Sequence, residues 1–445
     1  MAINTEDALR AFPYAKSVHE NSVAHLAVVW VVMVPLIYFA DAGAFWFQLG
    51  SVNSQLVGSY SVLAGKSIGL EGIATAGGVF ALCFALCFRY FPAIISALLQ
   101  DRLFGAIALL AIGSVAWSDL PAKTLQWSVC LAVDTVFVFY LAHRFKQEQL
   151  IRIVLMLGWI CLLLSFIMIL FFPSMGISYL GGVGAWQGMY FHKNFCALST
   201  VFFMSAAFYA PAPGSWQKGG RAAYIALSMF LVVMTQSRTG WLLLFALFAF
   251  AGASMVLRQF RSRERFPLIV ILVLAGTVFF AFVLTNLSAL LYSVGKDPTL
   301  TGRTSIWQAV FEAIMKRPIL GYGYMAFWRG FEGESATISL ANGWAVTSSH
   351  DGFLEVWLAL GVVGLALVIA TFVRGIRDAT VCFLRGASPY VEWQACVVFL
   401  TLVTAIVEVQ MLIPNNFMWM LYILACAGLA NAREQQRNSP LISAL

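Results

Sequence analysis

Apolar residues along this chain come in long runs separated by short polar stretches. Twelve runs stand out: Val23–Ala40, Ile73–Phe88, Leu103–Trp117, Leu125–Leu141, Leu150–Phe172, Phe195–Ala210, Ala222–Gln236, Gly240–Leu257, Phe266–Leu287, Gly352–Val373, Trp393–Met411 and Phe417–Ala430. Most are about 14 to 23 residues long, near the roughly 20 that a helix needs to cross about 30 Å of hydrocarbon. A membrane barrel would show shorter stretches of strict apolar and polar alternation, and none is present. The pattern predicts an all-α polytopic membrane protein of about twelve transmembrane helices. The second and third runs are short and are separated by Arg89–Arg102.

Composition agrees. With 61% hydrophobic and 11% charged residues and a mean hydropathy of +0.84, too little charge remains to cover a soluble core. About two-thirds of the 27 lysines and arginines fall at the two termini and in every second loop, such as Arg144/Lys146/Arg152, Arg258/Arg261/Arg263/Arg265 and Arg374/Arg377/Arg385. Short basic loops resist translocation, so these are expected on the cytoplasmic side with both termini. The net charge of +7 is thereby accounted for without a nucleic-acid partner. Met1–Ser22 lacks the apolar core of a signal peptide, so the first run is expected to be an uncleaved anchor.

Seven of the eight cysteines fall inside predicted spans and Cys382 falls in a cytoplasmic loop; the spacing suggests neither a disulfide framework nor a metal site. There is no internal repeat, so residues 1–445 are predicted to form one transmembrane domain. Its long polar loops, Asp41–Gly72, Pro173–Asn194 and above all Ser288–Ser349, then lie outside, and candidate chemistry gathers there. No phosphate-binding glycine loop is present, so nothing points to nucleotide use.

In the largest loop, Ser305–Lys316 has helical periodicity, with Ile306, Val310 and Ile314 on one face. Ser305 and Gln308 have capping-box spacing, and Pro318 stops the helix. Arg303 precedes its first turn. Free amides and a guanidinium there would suit phosphate; the alternatives are snorkelling to headgroups or pairing with Asp297. Arg238 in "QSRTGW" sits at an outer boundary, where an arginine faces a ligand or cavity, or anchors in headgroups. His350 in "SSHDGFLEVW" is a candidate general base, or an interface residue held by hydrogen bonds. Asp351 could orient the His350 ring or cap the following helix. In "AWQGMYFHKN", Trp186, His192 and Lys193 mix aromatic and basic character, suited to a sugar diphosphate or to an ordinary interfacial belt. Three acids lie at membrane depth: Asp134, Glu355 and Glu408. Such carboxylates are costly, so each is a functional candidate or is paired with Arg238 or a backbone group.

Four stretches in order, "AWQGMYFHKN", "QSRTGW", "DPTLTGRTSIW" followed by "RPILGYG", and "HDGFLEVWLALGVVG", resemble the O-antigen ligase and polymerase superfamily. Within it they resemble the exopolysaccharide-production branch taken to be repeat-unit polymerases. The resemblance covers Trp186 to Gly364. It implies a GT-C-like membrane glycosyltransferase in the bacterial inner membrane that acts at the periplasmic face, without a metal or other cofactor. The implied donor is an undecaprenyl-diphosphate-linked saccharide and the implied acceptor another saccharide. A chain-length regulator and other assembly proteins are implied partners. By this resemblance Arg238 and Arg303 hold the donor diphosphate and His350 is the base, while Trp186, His192 and Lys193 are candidates for orienting the donor. Asp351 departs from the Asn or Ser more usual after the histidine. Two other readings stay open: a ligase that moves the finished glycan to lipid A core or another acceptor, and a secondary transporter built on Asp134 or Glu408. Transporters commonly show two related halves, and no such halves are visible here.

Overall fold

The computed structural model describes residues 23–40, 70–179, 184–261, 263–271, 274, 276 and 303–438. Helices dominate, and the one sheet among these residues is a two-residue hairpin, β1 (Ile177–Ser178) against β2 (Ala185–Trp186). The helices, in order, are α1 (Val23–Ala40), α2 (Leu70–Phe88), α3 (Phe91–Asp101), α4 (Leu103–Gly113), α5 (Pro121–Arg144), α6 (Gln147–Phe171) and the single turn α7 (Pro173–Gly176). There follow α8 (Lys193–Tyr209), α9 (Ser215–Met234), α10 (Arg238–Gln259), α11 (Arg303–Lys316), α12 (Ser335–Asn342), α13 (Gly352–Arg385), α14 (Pro389–Val407) and α15 (Phe417–Asn438). Residues 263–271 are also helical.

Helices stand where eleven of the predicted runs lie, and the described part of the twelfth, Phe266–Leu287, is helical too. Five of the described helices, α5, α6, α10, α13 and α14, are long and apolar enough to cross a membrane; a sixth crossing results if the α2/α3 pair counts as one broken span. Together with the apolar composition this is an all-α, multi-pass membrane protein.

Three departures from the sequence reading have clear causes. Arg89–Arg102, expected to be a separator, is mostly α3, because Pro92 at the start of a helix costs no hydrogen bond. The chain bends by 91° between α2 and α3. The helix expected to end at Val373 continues to Arg385, so the predicted loop cysteine Cys382 is buried in α13. Finally, Arg303 and Thr304 are already helical, which places Ser305 inside α11. It therefore cannot be an N-cap, and its hydroxyl meets Asn342 Oδ1 at 3.3 Å instead.

The described part of the largest outer loop is folded. Ile306, Val310 and Ile314 of α11 are buried, with Tyr322, Phe327, Ile338 and Val346, against Leu358 of α13. The loop is fastened to a break in α13. Gly361 has φ +67°, and the interrupted helix leaves backbone groups free. Tyr322 N–H and Gly323 N–H donate to the carbonyls of Leu358 and Ala359 at 3.0 Å each, and Val362 N–H donates to Pro318 O at 2.9 Å. A Cβ at Gly361 would lie 2.0 Å from Ile319 O, so the close approach needs glycine as much as the backbone angle does. Non-helical backbone in an apolar setting survives when its polar groups are paired in this way.

Helix α14 lies at the centre, packed against α8, α10, α13 and α15. It is buried on nearly all sides, and Glu392 near its start is ion-paired with Arg258 at the end of α10. Removing one partner of a buried pair is expensive, so this contact fixes the register of α14 against α10. Another buried acid, Asp134 in α5, accepts a hydrogen bond from the backbone N–H of Asn415 at 2.6 Å.

Candidate active site

Four helices start and one ends around a single carboxylate. Helix α14 stops at Val407, four residues before the predicted end of its run, and leaves Glu408 as its C-terminal cap residue in extended backbone. Glu408 Oε1 receives hydrogen bonds from Asn194 Nδ2 (3.1 Å), Arg303 Nη2 (3.1 Å) and Thr239 Oγ1 (3.4 Å). Glu408 Oε2 lies 3.3 Å from His350 Nδ1. These partners occupy the first turns of α8, α11 and α10 and the turn just before α13. Helix N-termini carry partial positive charge, so several of them meeting here favour an anion.

Electrostatics follows from the geometry. Burial alone would push the pKa of Glu408 up, but the hydrogen bond and charge of His350, then Arg303 and His192, hold it below the usual carboxylate range. Arg303 also donates from Nη1 to Val407 O at 2.6 Å, so one guanidinium grips both the last helical carbonyl and the first residue beyond it. Its side chain is 19% exposed, against 9% for Glu408 and 30% for His350. His350 itself has φ +54°, and Gln236, two residues before Arg238, has φ +53°. Left-handed backbone at non-glycine residues is uncommon and clusters at functional turns.

A second layer connects the other termini. Ser237 caps α10 by accepting from Gly240 N–H at 3.1 Å, and donates its hydroxyl to Asn194 Oδ1 at 2.9 Å. His192 caps α8: its Nδ1 accepts from Asn194 N–H at 3.2 Å. Only an imidazole with an unprotonated Nδ1 can accept this bond. The ring has an open edge, yet desolvation by its surroundings, helped by Lys193 and His350 and opposed by Glu408, lowers its pKa.

Arg303 and His350 thus come together, bridged by Glu408. Arg238 is the first residue of α10, next to Thr239, and its exposed side chain has no hydrogen bond or ion pair to a described residue. His192 lies at the edge of the cluster, with Lys193 beside it at the start of α8. Trp186 packs edge-on between Phe166 of α6 and Phe230 of α9. Asp351 caps α13 through Leu354 N–H at 2.9 Å, and the carboxylate that meets the His350 ring is that of Glu408. The pairing of Arg303 with Asp297 falls outside the described residues. Asn194, Ser237 and Thr239 carried no distinguishing signal beyond being polar residues at the starts of apolar runs.

Chemically, the cluster offers an imidazole whose Nδ1 faces a carboxylate, leaving Nε2 free of hydrogen bonds to described residues. Beside it is the half-committed guanidinium of Arg303, and Arg238 stands next to Thr239 at the start of α10. This is a combination for taking a proton from a hydroxyl next to a polyanion.

Residues 223–369 match the O-antigen ligase family. The stretch contains Arg238, Arg303 and His350 and excludes Asn194 and Glu408. The chain is also similar to the exopolysaccharide production protein ExoQ of Rhizobium meliloti, 25% identical over 326 residues, which are 70% of this chain and 73% of that protein. A candidate polysaccharide ligase of Rickettsia conorii is 26% identical over 36% of this chain and 40% of its own length. One of Rickettsia prowazekii is 27% identical over 32% of this chain and 37% of its own length.

Proposed function

From a chain that carries the O-antigen ligase family domain and is a homologue of an exopolysaccharide production protein, we propose a membrane glycosyltransferase that polymerises lipid-linked saccharide repeat units. Homology of this kind supports a membrane enzyme of polysaccharide assembly. The donor is a saccharide on undecaprenyl diphosphate, and the acceptor is the hydroxyl of another saccharide. The chain crosses the bacterial inner membrane about twelve times with both termini in the cytoplasm, in a GT-C-like arrangement, and the site opens to the periplasm.

The observation that carries the proposal is the meeting of Arg303 and His350 at Glu408, with Arg238 adjoining Thr239, a further partner of that carboxylate. Glu408 takes the Nδ1–H of His350, which leaves Nε2 as the base. The acceptor oxygen attacks the anomeric carbon as its bond to the phosphate oxygen breaks. The acceptor proton passes to Nε2, the leaving diphosphate keeps the bonding electron pair, and the anomeric centre inverts. Arg238 and the free edge of Arg303 meet the charge that grows on the bridging oxygen, where a unit-charge pair at 4 Å is worth about 4 kcal/mol at an effective dielectric near 20. His192 and Lys193 orient the donor from the start of α8. With two arginines and a ring of helix N-termini in these roles, the reaction is proposed to need no metal.

Transfer by purified protein in liposomes, with a short undecaprenyl-diphosphate repeat unit and EDTA present, is the test. A ladder of longer lipid-linked glycans that disappears in R303A supports the polymerase. The two rickettsial relatives favour a second reading, in which transfer occurs only when a lipid A core or other non-polymer acceptor is supplied. No transfer to any acceptor would overturn both.

A further inference from the structure

Glu355, one turn into α13, touches none of the groups placed in the reaction above, yet both of its carboxylate oxygens are committed. Oε2 accepts from Ser349 N–H at 2.9 Å and Oε1 from Trp328 Nε1 at 2.6 Å. Ser349 is the residue before His350 and is fully buried. Its carbonyl accepts from Trp307 Nε1 at 2.9 Å, and its hydroxyl donates to Asp351 O at 2.7 Å while accepting from Asp351 N–H at 3.3 Å.

The two peptide planes that flank the Cα of His350 are those carrying the Ser349 carbonyl and the Asp351 N–H. Trp307 holds the first and the Ser349 hydroxyl holds the second. Together they fix the torsions of a residue that sits at φ +54° without being glycine. Glu355 anchors Ser349 itself, and so anchors both restraints. Trp307 also lies one turn along the helix that begins with Arg303, so the base and the arginine are referenced to the same serine.

Resting on the function proposed above, we infer that Glu355 is a positioning residue for His350: with Trp307 and Trp328 it clamps Ser349 and holds the imidazole where it can reach both Glu408 and the acceptor hydroxyl. A carboxylate suits this task because each oxygen takes one donor. The amide of glutamine has one acceptor atom, and its NH₂ would face the second donor. Removing the anchor lets the left-handed turn relax, and a shift of about 1 Å in a catalytic group can cost about a hundredfold in rate. Donor binding involves other residues and should survive.

The experiment compares wild type, E355Q, W307F and W328F for transfer in liposomes, with kcat and donor KM measured separately, and for amide hydrogen exchange in the peptide around Ser349–His350. The clamp expects E355Q to lose about ten- to a hundredfold in kcat while donor KM stays within about threefold, with faster exchange confined to this turn. W328F, which leaves Glu355 on Ser349, should lose less than E355Q. E355Q with wild-type kcat would overturn the inference, as would a loss expressed in KM alone. Should E355Q fail to elute as a folded species, W307F decides: reduced kcat supports the clamp and unchanged kcat overturns it. A wild type inert toward every acceptor would remove the reaction, and the inference with it. That failure is distinct from an active wild type beside an unimpaired E355Q.

Discussion

Replacing Glu408 with glutamine should separate the electrostatic role of this residue from its shape. The side chain keeps its size, and one oxygen can still accept from Asn194 or Arg303. What disappears is the charge that Arg303 faces at 3.1 Å and the acceptor that His350 Nδ1 faces at 3.3 Å. Breaking a buried pair by removing one partner costs about 3 to 5 kcal/mol. Here glutamine keeps a hydrogen bond, and Arg303 is partly exposed and still holds Val407 O, so about 1 to 3 kcal/mol of stability is the expected loss. The kinetic effect should be larger relative to its cause. An amide can present its NH₂ to Nδ1 and favour the tautomer whose proton sits on Nε2, which disables the base. Where an acid orients a catalytic histidine this can cost up to about 10⁴ in kcat. With a 3.3 Å contact and a ring 30% exposed, the lower end of general-base effects, about 10², is expected.

Two assays read this prediction. In the liposome transfer assay E408Q should lose about 10² in kcat. In thermal unfolding, the lowered pKa of Glu408 sets the sign of the pH dependence. The carboxylate stabilises the fold fully above the ordinary glutamate value of about 4.3, and its contribution disappears as pH falls through the lower folded value. The gap between wild type and E408Q should therefore be widest near neutrality and close in acid below about pH 4. E408Q with wild-type kcat, in a preparation where H350A is dead, would refute the claim that the imidazole depends on this carboxylate. A stability gap that persists unchanged into acid would refute the charge argument.

Other substitutions probe single features. R303K keeps the charge but cannot reach Val407 O and Glu408 as a fork, so transfer should fall by about 10², and a full rate would argue against a two-point contact. R238A removes an exposed side chain with no hydrogen bond or ion pair to a described residue; stability should hold within about 0.5 kcal/mol while donor KM rises about tenfold, and unchanged KM would exclude a donor contact. H192N keeps a good N-cap but removes a titration. Because the folded state lowers the His192 pKa, wild type should lose stability as pH falls from about 6.5 towards the lowered folded value, and H192N should flatten that slope in melts between pH 5 and 8. G361A places a Cβ against Ile319 O in left-handed backbone, so it should cost at least about 3 kcal/mol, seen as loss of folded protein on size exclusion.

Membrane helices were legible because length and apolarity are local properties, and α5, α6, α10 and α13 begin or end within a few residues of their runs. The errors arise where a boundary is tertiary. Nothing in "GVVG" says which glycine breaks the helix. Gly361 does so because the loop at Ile319 comes too close for any side chain, and that loop lies some forty residues earlier in the chain. Cys382 looked like a loop residue because Arg374 and Arg377 seemed to end the span. Arg374 pairs with Asp101 instead, and Arg377 and Arg433 pair with Asp378, which lets α13 continue beyond the apolar run.

The site divides along the same line. Arg303 and His350 are visible as charge out of place in an apolar chain, and each sits in a motif with a family resemblance. Glu408 is equally out of place, but its sequence neighbours are unremarkable and its meaning is relational: it is the acceptor on which α8, α10, α11 and the turn into α13 close. Asn194, Ser237 and Thr239 are smaller still, ordinary helix-start residues whose side chains are spent on one another and on that acid. Helix starts carry positive dipole ends even when one donor is capped, and gathering several of them at one place without an anion would be unfavourable. The chain resolves this by ending α14 there with a carboxylate. A second anion arriving at this junction would meet the same field, which is why the features that keep it folded are the ones that, under the proposed function, bind a diphosphate.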